Sequence, residues 1–224
     1  MQKIRLRYSK LGRARFTSHR DFGRAFERAL RRAHIPMAYS SGFNPHPRIS
    51  YANASPTGAA TMAEYLEIGL WEVCDPEKLA DALNAVLPPG FRIDGAVAAT
   101  PGALADELEA SRWEVRWPVP EEQALADAVA AFVVAEEVEV QRMMKNGLRT
   151  FDARGPVVHL ELLAPDERGW AGIDLVVRHV APLVRPEDVL SAMETVAGLP
   201  RPVGASYLRL AQGRLADGVV HNPF

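Results

Sequence analysis

Arg20, Arg24, Arg28 and Arg32 stand four residues apart, with Arg31 beside the last of them. A guanidinium is a planar fork of donors that keeps its charge and engages phosphate bidentately. Side chains at this spacing drift only slowly around a helix axis, so the four form a ridge suited to a phosphate backbone. The surrounding charge is lopsided. The first 50 residues hold twelve Lys/Arg and two acids, Asp21 and Glu27, a balance of +10; the whole chain is −2, which leaves −12 for the rest. A dense positive field attracts polyanions, chiefly nucleic acid, and an acidic remainder confines that attraction to one face. Docking to an acidic protein surface and a merely solvated helix face are the competing readings of the ridge.

A second group follows closely. The run Gly42-Phe43-Asn44-Pro45-His46-Pro47-Arg48 is a stiff loop, because Gly42 permits unusual backbone angles and each proline fixes φ. It presents His46 with little freedom. Phe43 and Tyr39 are available for base stacking, Asn44 for base-edge hydrogen bonds, and Arg48 adds a cation. The competing reading is a structural turn. His19 opens the predicted helix, where the dipole favours neutral imidazole. With His46 beside it, His19 could act as acid or base in RNA cleavage; a capping or packing role is the alternative. His19, His46 and Cys74 show no repeating ligand spacing, and no metal site is expected.

The elements that must position these residues can be read from periodicity. Residues 3–8 alternate as a half-exposed strand, and 13–16 alternate again. Ser18 is the expected N-cap of a helix running to about Ala33, with Asp21 reaching back. Its apolar stripe is Phe22, Ala25, Phe26, Ala29, Leu30 and Ala33. Residues 49–52 and 63–71 read as strands, 76–87 as a helix and 91–97 as a strand. Residues 100–111 read as a linker or short helix. The order then repeats: strand 113–119, helix 121–134, strands beginning at 137, 150 and 172, helix 185–196 and strand 205–212. An extra hairpin is expected around 148–163. Asp152 and Arg154 read as a cross-strand ion pair, and His159 and His179 as satisfied strand histidines. The predicted class is α+β, with two tandem ferredoxin-like (βαββαβ) domains. The first, basic domain spans 1–100, the second, acidic one 111–214, and 215–224 is a loose tail.

The stretch from Phe16 to Tyr51 resembles the signature of the radical-SAM-linked proteins, a bacterial family of undefined function. The matching features are Ser18, His19, Asp21, Arg24, Arg31-Arg32-Ala33, the run from Tyr39 to Pro47, and later Ala63-Glu64-Tyr65. The resemblance implies a partner, encoded nearby or fused: a radical SAM protein with a cobalamin-binding-type domain. It implies no activity for this chain. More distantly, the predicted topology resembles the CRISPR repeat-processing endoribonucleases.

Absent motifs narrow the chemistry. There is no Gly-rich phosphate loop ending in Lys-Ser/Thr, no His-Glu-x-x-His and no Gly-x-Ser-x-Gly. Cys74 is the single cysteine, so the three-cysteine cluster motif is missing and this chain does not cleave S-adenosylmethionine by that route. Any iron–sulfur cluster, S-adenosylmethionine or cobalamin is expected on the partner. No apolar leader or membrane span is visible, and a cytoplasmic location without membrane contact is expected. The resulting expectation is a non-catalytic adaptor that binds tRNA or rRNA and presents it to the radical SAM enzyme. The alternatives are an endoribonuclease or RNA-modifying enzyme using His19 and His46, and a protein-interaction subunit without RNA.

Overall fold

The computed structural model describes residues 1–118 and 121–224. It is an α+β chain whose contacts divide it into two compact units, Met1–Leu108 with Pro223–Phe224, and Glu109–Asn222.

In the first unit the order is β1 (Gln2–Lys10), α1 (His19–Arg32), β2 (Ile49–Ala52), β3 (Ala60–Leu70), α2 (Pro76–Asn84) and β4 (Phe91–Ala98). β1 pairs antiparallel with β3 and β4, and β2 with β3, giving the sheet order β4-β1-β3-β2. Alternation decides the faces. Ile4, Leu6 and Tyr8 join Leu66, Ile68, Leu70 and Ile93 in a core with Phe22, Phe26 and Leu30 of α1 and Leu79 and Leu83 of α2. Burying each large side chain contributes about 1.5–3 kcal/mol. Tyr8 and Phe22 stack with centroids 4.5 Å apart, which seats α1 on the sheet.

Residues 3–8 are not the half-exposed strand that their alternation predicts: Arg5 takes the opposite face of β1 from the core yet is only 1% exposed, because residues 100–107 cover it. Its Nε donates to Glu67 at 3.2 Å, Nη1 to the Thr100 hydroxyl at 3.0 Å, and Nη2 to the carbonyls of Thr100 and Gly102. Burial of a charge is tolerable only with this kind of saturation. Beside it Ala52, Ala63, Tyr65, Leu104 and Leu108 form a smaller cluster, joined by Phe224.

Residues 13–16 do not form the expected strand. They belong to a 3₁₀ turn, Gly12–Phe16, closed by the Thr17 N–H on the Ala14 carbonyl. Gly12 has φ +57°, which breaks extended backbone, and only Ala14 is buried. Gly90 is required opposite: a Cβ there would stand 2.7 Å from both the Ala14 Cβ and the Leu11 carbonyl oxygen. Residues 104–107 form a second 3₁₀ turn, Leu104–Glu107, within the segment expected to be a linker or short helix.

The second unit runs β5 (Ala110–Trp117), α3 (Glu122–Val134), β6 (Glu139–Met144), β7 (Gly147–Asp152), β8 (Val157–Leu163), β9 (Ala171–Arg178), α4 (Pro186–Ala197), β10 (Ser206–Ala216) and β11 (Val219–His221). The last residue of the strand expected over 113–119, Val119, lies outside the described residues. β5 sits between β10 and β9, and β9 pairs with β8, all antiparallel, so the order is β10-β5-β9-β8. Relative to chain order this repeats the first sheet. Val115, Ile173, Leu175, Leu125, Phe132, Val189 and Met193 are buried, and α3 packs on α4.

The extra hairpin lies upstream of its expected place. β6 and β7 pair around Lys145-Asn146, with Met144 opposite Gly147, and Val157–Leu163 joins the main sheet instead. Asp152 ends β7, where its carboxylate accepts from the backbone N–H of Val138, Arg154 and Gly155. Asp152 is thus a turn residue. The Arg154 guanidinium donates instead to the carbonyls of Val133 and Val157. The tail is also ordered. β10 continues to Ala216 and turns at Asp217-Gly218, both at positive φ, into β11. An Asp-Gly pair favours this two-residue turn, and Phe224 lies edge-on to Tyr65 at 5.5 Å.

Candidate nucleic-acid interface

The arginine ridge is a consequence of how α1 packs. Ser18 caps the helix: its hydroxyl oxygen accepts from the Asp21 N–H at 3.1 Å and donates to the Asp21 carboxylate at 2.7 Å. The Asp21 side chain therefore meets the Ser18 hydroxyl. Phe22, Ala25, Phe26, Ala29 and Leu30 are buried, which turns Arg20, Arg24, Arg28, Arg31 and Arg32 to the exposed side. At 1.5 Å per residue, arginines four apart are separated by about 6 Å along the axis.

Little opposes this charge. Arg24 lies 3.9 Å from Asp21 and Arg31 3.9 Å from Glu27, with all four side chains well exposed. Such pairs are worth about 0–1 kcal/mol and yield easily to a polyanion. Among the described residues Arg20, Arg28 and Arg32 are in no ion pair.

Apart from Arg13, which is exposed, the cations that precede α1 are used differently. Arg5 is sealed in its network and Lys3 is held by Glu67 at 2.6 Å. Lys10 is buried, and Arg7 donates to the Asp94 carbonyl. Arg15 lies over the Phe16 ring at 4.6 Å. The strand cations hold the sheet together, and the helix cations remain at the surface.

The loop after α1 is a hairpin. Ala38 and Gly69 share a backbone bond that starts it. The Arg48 N–H donates to Ala38, the Ser40 N–H donates to His46, and Tyr39 bridges to Pro47. The His46 N–H donates to the Ser40 hydroxyl at 3.0 Å, so the turn is braced from both sides. At its tip Gly42 has φ +135°, in the region glycine tolerates best. Phe43 is fully exposed and Tyr39 about half. Asn44, His46 and Arg48 are exposed as well, and Arg48 Nε donates to the Tyr39 carbonyl at 3.2 Å. Gly69 makes room for the Arg48 stem, since a Cβ there would stand 3.2 Å from the Arg48 Cβ.

β2 links the two features. The hairpin leads directly into it, and Tyr51 of β2 meets His19 edge-on at 4.7 Å. A Cβ on Gly23 would stand 3.5 Å from the Tyr51 hydroxyl. Burial and the Glu27 carboxylate push the Tyr51 phenol up. The face of α1 carrying His19, Gly23 and Glu27 therefore lies on Tyr51. No sequence motif singles out this tyrosine; it is found through the packing of His19. His19 is braced by the ring, and among the described residues no hydrogen bond joins it to His46.

Elsewhere His179 Nε2 lies 2.8 Å from the Ser111 hydroxyl, and His159 lies 3.6 Å from Glu161. Burial and the nearby Glu72 push the Cys74 thiol up. Among the described residues no three of His, Cys, Asp and Glu gather at metal-binding distance, and no helix is long and apolar enough to cross a membrane.

No curated protein matches the chain. Among solved structures it is similar to a chain of a Cbf5-Nop10-Gar1 complex, with 9% identity and a TM-score of 0.47, over 92% of this chain and 48% of that one. The chain thus spans about half the length of that neighbour. It also aligns with the first two RRM domains of yeast poly(U) binding protein (Pub1), at 10% identity and a TM-score of 0.22, over 92% of this chain and 98% of that one. Residues 3–186 match a conserved bacterial family, and the chain therefore belongs to the family described as "Uncharacterized protein conserved in bacteria (DUF2344)".

Proposed function

We propose that the protein is a non-catalytic RNA-binding adaptor that presents a tRNA or rRNA to a radical SAM partner enzyme. One observation carries the RNA reading: five exposed arginines along α1, three of them without an ion pair among the described residues. Phosphates meet the ridge and give affinity. Phe43 and Tyr39 stack on unpaired bases and give modest selectivity. Asn44, His46 and Arg48 border the same hairpin. The partner rests on the resemblance of residues 16–51 to the radical-SAM-linked proteins. It would carry the iron–sulfur cluster, S-adenosylmethionine and any cobalamin. The repeated strand order, β4-β1-β3-β2 and β10-β5-β9-β8, supports reading the chain as tandem ferredoxin-like domains.

The test is binding of fluorescent tRNA and rRNA fragments across a salt series. Affinity should fall steeply as salt rises, because bound phosphates release counterions. Arg24→Glu with Arg28→Glu should weaken binding at least tenfold and leave the fold intact. Binding indifferent to salt, or equal in the variant, would falsify the RNA reading. Co-purification with the radical SAM protein that survives nuclease, without RNA affinity, would point to a protein-interaction subunit. Cleavage of RNA in EDTA, lost on His19→Ala or His46→Ala, would point to a nuclease.

A further inference from the structure

A separate cavity of about 480 Å3 opens in the second unit, between the β6–β7 hairpin and residues 181–182. Its polar lining is Lys145, Asn146, Arg149 and Thr150; Met144 and Pro182 supply apolar surface, and no carboxylate lines it. The hairpin is fixed in place by Arg142. That guanidinium donates to the Asp188 carboxylate, donates to the Leu183 carbonyl at 2.9 Å, and lies over the Phe151 ring at 4.9 Å. The cavity walls are therefore tied together.

The charges in this hairpin do not balance. Arg142 and Arg149 are direct cross-strand partners, so their side chains share a face. Like charges so placed repel. Asp188 neutralises Arg142. Among the described residues no carboxylate is paired with Arg149 or Lys145. A volume of this size suits a small organic ligand rather than a bare ion, and such sites combine apolar walls with a few placed polar groups.

We propose that this cavity binds a nucleotide. Lys145 and Arg149 take the phosphate, Asn146 and Thr150 hydrogen-bond it or the sugar, and the ring lies on Met144 and Pro182. A free mononucleotide and a nucleotide within an RNA strand offer the same chemistry. The inference stands on this cavity and does not need the α1 ridge.

The test is calorimetric titration of the full chain with 5′-mononucleotides, inorganic phosphate and a 5′-phosphorylated RNA hexamer. The Lys145→Ala, Arg149→Ala double variant is compared with Arg24→Glu, Arg28→Glu, which lies on the other unit. Mononucleotides should bind at least fivefold more tightly than phosphate, and the double variant should weaken them at least tenfold. Arg24→Glu, Arg28→Glu should leave them unchanged, and Arg149→Lys should retain most binding. Loss of hexamer binding in the double variant, without mononucleotide binding, would assign the cavity to a nucleotide within a strand. Phosphate binding as tight as nucleotide binding would overturn the proposal. So would nucleotide and hexamer affinities unchanged in a double variant of native thermal stability.

Discussion

Phe43 and Glu67 are opposite cases of one rule, that a side chain matters according to what surrounds it. Phe43 touches solvent and contributes nothing to packing. Phe43→Ala should leave the melting temperature unchanged and weaken RNA by about 1–3 kcal/mol, the usual worth of one base–aromatic stack; equal binding would remove the hairpin from the interface. Glu67, at 3.2 Å, is the nearer of two carboxylates that compensate buried Arg5; Glu107 stands at 4.0 Å. Glu67→Ala should cost about 1–3 kcal/mol in denaturant unfolding, since it removes the nearer carboxylate and leaves the buried Nε without its acceptor, while Glu107 still faces the guanidinium. Asp152 is a third case. Burial opposes its charge, but three backbone N–H groups and Arg154 outweigh it and hold the carboxyl below the ordinary aspartate range. A depressed native value means stability that is full above the unfolded value and drains as pH falls through the native one. Asp152→Asn should lower stability by about 1–2 kcal/mol at neutral pH. It should also flatten the acid limb below the ordinary aspartate range. An unchanged acid limb would deny the linkage.

At the scale of the element, α1 has to be both a core helix and a charged surface. Its buried stripe and arginine ridge are two readings of one 3.6-residue period, so neither can shift without the other. The Ser18 cap sets where that period begins. Ser18→Ala should lower stability by about 1 kcal/mol and fray the first turn, seen as faster amide exchange at residues 19–22. Each arginine that contacts a phosphate should contribute about one unit to the salt slope. Arg24→Glu, Arg28→Glu should therefore flatten the slope by about two as well as weaken binding; weakening at constant slope would mean the pair acts through the fold.

For the molecule as a whole, charge is divided along the chain, and amide exchange can follow that division. Adding RNA should protect residues 19–48 and leave the acidic stretch around Glu136, Glu137 and Glu139 unprotected; protection centred on the acidic stretch would contradict the proposed RNA site. The main helices and strands of the first unit and the exposure of the α1 arginines were legible in the sequence, because amphipathic periodicity and an N-cap are local properties. The cap, the stripe and the stiff hairpin all stand where residue types put them. Less was legible where a four-residue alternation fits either a strand or a tight turn, as at 13–16. The Asp217-Gly218 turn was missed, because 215–224 read as a loose tail and the dipeptide acquires its meaning only from strand β10 running up to it. By itself the sequence determined which residues of α1 face water, since that follows from period and polarity within one element; on β1 the same rule failed at Arg5 and Lys10, which the fold buries. Only the tertiary structure decided which cations are spent on cohesion. Arg5 and Arg24 are chemically identical, and what separates them is two distant carboxylates, a hydroxyl and two carbonyls that only the fold brings around Arg5.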